Sequence, residues 1–207
     1  MLKRHRPNTL VKPRPGPGSI GLCTALLLLG GVSLGGEGDR KITFVDTRGR
    51  EHTPLVQPEK KATVLFFILP DCPISNAYAP EITRIAADYA KKHVAAFIVY
   101  VDPDMPVDAA KKHCAEYGFD CPALLDASHK LVKYTGVTIA PEVAVLGPDG
   151  KPLYRGRIDD LYADYGKRRA QPSQRDLRDA LDAIVAGKPV SRGTTKAVGC
   201  FIPKRQP

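Results

Sequence analysis

The sequence has no acidic side chain before Glu37, no apolar run long enough for an ordinary membrane span, no internal repeat, and no histidine after His129. Each absence closes a route. A spanning helix takes about 20 apolar residues, and the longest uncharged, mostly apolar stretch runs only from Ile20 to Leu34. The lack of a repeat argues against solenoids and propellers. His113 and His129 do not stand at ligand spacing with other metal-binding residues, so surface or capping roles are expected for both. No metal, nucleotide or other cofactor is expected.

The chain carries a formal charge of +9, from 31 basic and 22 acidic residues. That excess first suggests a nucleic-acid partner. Five of the basic residues, Lys3, Arg4, Arg6, Lys12 and Arg14, lie in the first 14 positions, which leaves 26 against 22 beyond residue 35. A mildly basic, solvated surface explains the remainder, and no nucleic-acid partner is expected. The apolar fraction, 43%, is ordinary for a packed core. A length of 207 residues suits one domain with extensions.

Residues 1–35 have the layout of an export signal: a basic start, an apolar stretch, and small residues at Ser33 and Gly35 for cleavage. Left uncleaved, the same segment would be an N-terminal membrane anchor, the one membrane contact expected. Cys23 follows Leu22 and stands early in the apolar stretch, the wrong place for lipid attachment. The protein is therefore expected outside the cytoplasm, in a periplasmic or extracellular space. Cys72, Cys114, Cys121 and Cys200 remain after the signal. An even count in an oxidising space permits disulfides, and four cysteines allow three full pairings.

A Gly-rich linker, 36–40, leads to a domain predicted over 41–188, with a tail over 189–207. Residues 41–46 alternate and end in a turn, as in an edge strand or hairpin. Ala62 to Leu69 is unbroken and apolar, which predicts a central strand covered on both faces. From Asn76 to His93 the period becomes helical through Tyr78, Ile82, Ile85, Ala86 and Tyr89. Val94 to Val101 reads as a second buried strand. Pro103 and Pro106 open a second helix that stops at Gly118, and Asp102 and Asp104 read as capping residues. A short strand at 123–125, a brief helix through Leu131 and Tyr134, and a strand over 142–146 follow. The turn at Pro148-Asp149-Gly150 returns the chain over 152–157. Asp159 and Asp160 open a polar loop as a charge pair. A last helix is expected from Ser173, its N-cap, to Ala186, and the tail is expected to be irregular and flexible. Parallel strands with right-handed crossovers, then a hairpin and a closing helix, make a three-layer α/β sandwich.

One stretch narrows this further. A buried strand ends in Leu69-Pro70-Asp71-Cys72-Pro73-Ile74-Ser75-Asn76 and runs into a helix. Gly136-Val137-Thr138-Ile139-Ala140-Pro141-Glu142-Val143 comes later, followed by a strand, the Pro-Asp-Gly turn and Leu153-Tyr154-Arg155-Gly156. Over roughly 40–188 the sequence resembles the thioredoxin superfamily, in particular its redoxin branch, which includes peroxiredoxins and thiol-specific antioxidant proteins. The resemblance implies a thioredoxin-like fold with a mixed central sheet. It implies Cys72 as the catalytic thiol and a cis peptide at Pro141 shaping an edge that receives an extended substrate. Physical chemistry agrees on the first point: backbone N–H groups and the dipole at a helix start favour the thiolate, and cysteines so placed have pKa values of about 3.5–7.5.

The sequence also departs from the family. Ser75 stands where thioredoxins have a second cysteine, Leu69 where peroxiredoxins have a threonine, and Asn76 where the copper-delivery relatives have their second cysteine. Cys72 therefore lacks a local partner. Cys200, Cys121 and Cys114 are the candidate resolving residues, and Cys114 could instead bridge to Cys121. Pro73, Ser75, Asn76, Ala140 and Pro141 are the candidate substrate-binding residues. The implied activity is thiol-disulfide exchange on a protein or small-molecule disulfide, or reduction of a peroxide. The electron donor would be an external thiol or a thioredoxin-like reductant. The alternative is a non-catalytic module that binds an extended partner at the Pro141 edge.

Overall fold

The computed structural model describes residues 42–204. The segment expected to be an export signal, the linker expected at 36–40 and the last three residues of the tail lie outside them. Two short strands, β1 (Phe44–Val45) and β2 (Glu51–His52), pair antiparallel as the opening hairpin. The chain then enters β3 (Ala62–Ile68), all seven residues of which are buried. An uninterrupted apolar run is what a strand needs when both its faces are covered.

Helix α1 (Pro73–Ala90) follows. It begins three residues earlier than periodicity suggested, because Pro73 takes the first helical position, where its missing N–H costs nothing. Its buried residues Ile74, Tyr78, Ile82, Ile85 and Tyr89 recur at helical spacing. Next come β4 (Val94–Tyr100), α2 (Val107–Tyr117), β5 (Ala123–Leu125) and α3 (Lys130–Thr135). Gly118 closes α2 in the left-handed region at φ 69°. The remaining elements are β6 (Ile139–Ala140), β7 (Glu142–Leu146), β8 (Pro152–Gly156), β9 (Tyr162–Asp164), β10 (Lys167–Arg168), α4 (Asp176–Val185) and β11 (Cys200–Phe201).

The central sheet has the order β5-β4-β3-β7-β8. Strands β3, β4 and β5 are parallel, while β7 and β8 run antiparallel to their neighbours. This is a thioredoxin-like α/β fold with a mixed sheet of five strands. Helix α1 packs against β4 and α2. It is tied to α4 by Tyr89, whose hydroxyl donates to Asp182 at 2.9 Å, and by Arg178, which pairs with Glu81 at 2.7 Å. Phe66, Phe67, Leu65 and Ile98 are fully buried. Each such side chain contributes about 1.5–3 kcal/mol.

Three local expectations change. Helix α4 starts at Asp176 after Arg175, and Ser173 instead donates its hydroxyl to Asp160 at 2.5 Å. Asp159 and Asp160 are buried acceptors and not a solvated pair: Asp159 accepts from the Tyr78 hydroxyl at 2.6 Å, and Asp160 from the Ser173 and Gln174 N–H groups. The tail is also held, although it lacks any periodic pattern. Gly193 and Thr195 run along β8 through Arg155 N–H to Gly193 O at 2.9 Å and Thr195 N–H to Arg155 O at 3.0 Å. Farther on, β11 pairs antiparallel with β6. Among the described residues, no helix is long and apolar enough to cross a membrane.

Candidate active site

Cys72 stands at the junction of β3 and α1, as the residue that caps the helix start. Its backbone N–H donates to Leu69 O at 3.2 Å, closing the turn that leaves the sheet. No side chain caps this end, and the first turn contains no acidic residue. The unpaired N–H groups and dipole of the helix start therefore favour negative charge beside the sulfur. Cys72 is 2% exposed.

Ser75 and Asn76 have their side chains committed to the loop that carries Cys72. The Ser75 hydroxyl accepts from Leu69 N–H at 3.4 Å, and Asn76 donates to Pro70 O at 2.7 Å. Behind Asn76 lies His113, a residue whose role the sequence did not disclose. It was expected on the surface and is buried. Its Nε2 lies 3.1 Å from Asn76 Oδ1, and its Nδ1 lies 2.8 Å from the Tyr100 hydroxyl. Asn76 Oδ1 can only accept, so His113 donates from Nε2, and in the neutral ring Nδ1 accepts from the Tyr100 hydroxyl. That assignment requires a neutral ring, and burial pushes the His113 pKa below its ordinary value. Adjacency of His113 to Cys114 in sequence carried no hint of this contact, which spans two helices.

The second wall of the site is the segment before β7. The Ala140–Pro141 peptide is cis. The buried Glu142 carboxylate accepts from Thr138 N–H at 2.9 Å and faces Arg155 at 3.7 Å. Arg155 in turn donates to Gly136 O at 2.8 Å. Glu142 and Arg155 thus clamp this loop from below, a contribution that neither residue's local sequence announced. The Cys72 sulfur lies 3.2 Å from Ala140 O, so the cysteine and the proline loop adjoin.

The tail completes the site. Cys200 pairs with Ala140 and Phe201 with Ile139 in an antiparallel register, and Cys200 is joined to Cys72 in a disulfide across 128 residues of chain. The Cα atoms are 6.1 Å apart, an ordinary span for such a bond. Gly199 permits the approach, because a β-carbon there would strike the Ala140 carbonyl group. Thr195 anchors the segment upstream through the Tyr154 hydroxyl at 2.6 Å and Arg157 N–H at 3.1 Å.

Cys114 and Cys121 are free and half-buried, and neither the bridge between them nor a bond to Cys72 is formed. Burial pushes the Cys121 thiol up to about 12 and raises that of Cys114, so both are weak nucleophiles. His129, also expected on the surface, is buried at the start of α3 and bonded to Val101 O at 2.9 Å. Among the described residues, no cluster of three or more His, Cys, Asp or Glu side chains is arranged to hold a metal.

The family described as Redoxin matches residues 40–164. No curated protein matches the chain. Among solved structures, an uncharacterized conserved protein of Geobacillus kaustophilus is 25% identical with a TM-score of 0.68, over 81% of this chain and 92% of that one. A hypothetical protein of Sinorhizobium meliloti 1021 is 24% identical with a TM-score of 0.67, over 78% and 89%. A secreted disulfide oxidoreductase of Mycobacterium tuberculosis is 20% identical with a TM-score of 0.50, over 73% and 99%.

Proposed function

The chain belongs to the redoxin family, and from that premise we propose that it is an exported thiol-disulfide oxidoreductase working through Cys72 and Cys200. The observation that carries this reading is the disulfide between them, formed where a strand-like tail lies against the Pro141 loop. Reduced Cys72, as thiolate, attacks one sulfur of a substrate disulfide. The other substrate sulfur leaves as a thiolate, and a mixed disulfide remains on Cys72. The Cys200 thiolate then attacks the Cys72 sulfur, the substrate's second thiolate departs, and the Cys72–Cys200 bond closes. An external thiol or a thioredoxin-like reductant resets the pair. The chemistry calls for no metal or organic cofactor.

The helix start favours the Cys72 thiolate, and Pro73 together with the bonds of Ser75 and Asn76 holds the loop that presents it. Export is supported by the basic and apolar pattern of residues 1–35. The Mycobacterium tuberculosis oxidoreductase of the same fold is secreted, in keeping with that. Peroxide reduction would use the same two sulfurs: Cys72 would become a sulfenic acid, and Cys200 would condense with it, releasing water. The apolar Leu69 offers no hydroxyl to orient a peroxide, so disulfide exchange is favoured. A purely binding role for the Pro141 edge is less favoured, since the chain's own tail already occupies that edge.

The test is to incubate the reduced full chain with oxidised glutathione or hydrogen peroxide and follow closure of the Cys72–Cys200 bond by mass spectrometry. Closure with glutathione disulfide, abolished in Cys72→Ser and stalled as a Cys72 mixed disulfide in Cys200→Ser, is expected. Closure with peroxide alone would favour the peroxidase, and closure with neither would favour the binding module.

A further inference from the structure

The two sulfurs of the oxidised pair differ in access and in what their departure leaves behind. Cys72 is 2% exposed and packed in the hydrophobic core. Cys200 is half-buried on β11, which pairs with β6, and it packs against that core. One neighbour, Gly199, has no side chain, and the other, Phe201, is 84% exposed. Thiolate attack on a disulfide proceeds in line, from the side opposite the bond that breaks. Cys72 is closed off from an incoming thiolate by its burial, whereas Cys200 is partly open to solvent.

Departure favours the same direction. Attack on Cys200 expels Cys72, whose thiolate then sits at the start of an 18-residue helix with no acid in its first turn. Unpaired N–H groups and the dipole stabilise negative charge there. Attack on Cys72 would expel Cys200 from a two-residue strand with no comparable field. The better-stabilised thiolate leaves faster.

We propose that reducing electrons enter this protein at Cys200, and that Cys72 is the leaving group of the resetting step. The inference rests on the exchange cycle described under Proposed function and adds its direction. A thiolate RS⁻ attacks the Cys200 sulfur. The R–S–S–Cys200 bond forms, the Cys72–Cys200 bond breaks, and its electron pair departs on Cys72. A second thiolate attacks the sulfur of R, forming RSSR and releasing Cys200 as a thiolate that takes a proton from water. Two thiols are thereby oxidised to one disulfide, and the protein's pair gains two electrons. Cys200 has two duties in this scheme: it resolves the substrate adduct on Cys72, and it later receives the reductant. The reductant reaches its target without entering the groove at Pro141, while the tail is still anchored at Thr195.

The experiment uses the oxidised full chain and reduced glutathione, with acid quenching at short intervals and alkylation of free thiols. Trypsin separates the two sites, since Lys196 and Lys204 bracket Cys200, whereas Lys61 and Arg84 bracket Cys72. At the earliest times glutathione is expected on Cys200 and alkyl label on Cys72, in about tenfold excess over the reverse pattern. Glutathione on Cys72 at equal or greater abundance overturns the proposal, as does loss of the disulfide with no Cys200 adduct at any time. The same preparation, once reduced, is assayed against oxidised glutathione. Failure there removes the exchange cycle itself, whereas reversed labelling with normal exchange removes only the direction assigned here.

Discussion

Gly199 passes so close to the groove wall that any β-carbon would meet the Ala140 carbonyl and approach Ile139 Cγ2 to 2.8 Å. Both atoms belong to β6, the strand that pairs with β11, so the strand carrying Cys200 would have to lift. Gly199→Ala is expected to cost about 1–3 kcal/mol in closing the Cys72–Cys200 bond. The oxidised fraction in a glutathione redox buffer would shift accordingly, by about 5- to 150-fold in the equilibrium constant. An unchanged midpoint would show that the strand adapts freely. His113 makes a different prediction. Burial depresses its pKa below 6.5, partly opposed by the charges of Glu116 and Asp71. The folded protein therefore keeps the ring neutral where the unfolded chain would protonate it. The stability this confers is complete above pH 6.5 and is lost as pH falls from there toward the depressed native value. Urea midpoints measured through that window should decline for the natural chain and decline less for His113→Gln. None of this was legible from the sequence, in which His113 is one polar residue on a short helix and Gly199 one glycine in an unpatterned tail.

At the scale of elements, α1 and α4 show how local signals and tertiary contacts divide the work. Periodicity placed α1, and Pro73 marked its first turn. The same helix includes Pro80, which deprives the Asn76 carbonyl of its usual helical donor. Pro80→Ala restores that donor and is expected to raise stability by up to about 3 kcal/mol, read as a higher denaturant midpoint with an unchanged slope. Helix α4 depends on a contact from outside itself. Burial alone would raise the Asp160 pKa, but the Ser173 hydroxyl, the Gln174 and Ser173 N–H groups and the Arg169 charge bring it down to about 2. The ionised carboxylate thus organises the turn entering α4. Its contribution is present above pH 3.8 and lost as pH falls through about 2. Asp160→Asn is expected to cost about 1–3 kcal/mol near neutral pH and to flatten the acid limb of the stability profile. Ser173 resembled an N-cap because a serine before an amphipathic run usually is one. Here the buried carboxylate of Asp160 competes for its hydroxyl, and the helix cap falls two residues later, at Arg175.

Across the whole molecule, the Cys72–Cys200 bond closes most of the domain into one loop, spanning 128 residues. Loops of that size restrict the unfolded chain enough to stabilise the native state by about 2–5 kcal/mol. Reduction should therefore lower the unfolding free energy by that amount, read as a lower denaturant midpoint, and Cys200→Ser should match the reduced protein. Identical midpoints for the oxidised and reduced forms would contradict this. The mixed sheet, the strand-to-helix position of Cys72 and the proline before β7 were readable in the linear chain, because they follow from short-range apolar patterns and from motifs contiguous in sequence. The partner of Cys72 was not. Three cysteines were compatible with that role, and the choice fell to Cys200 because Thr195 hydrogen-bonds beside β8, Gly199 clears Ala140, and β11 pairs with β6. Those contacts join segments far apart in sequence and without periodicity of their own, so only the folded chain could bring them together.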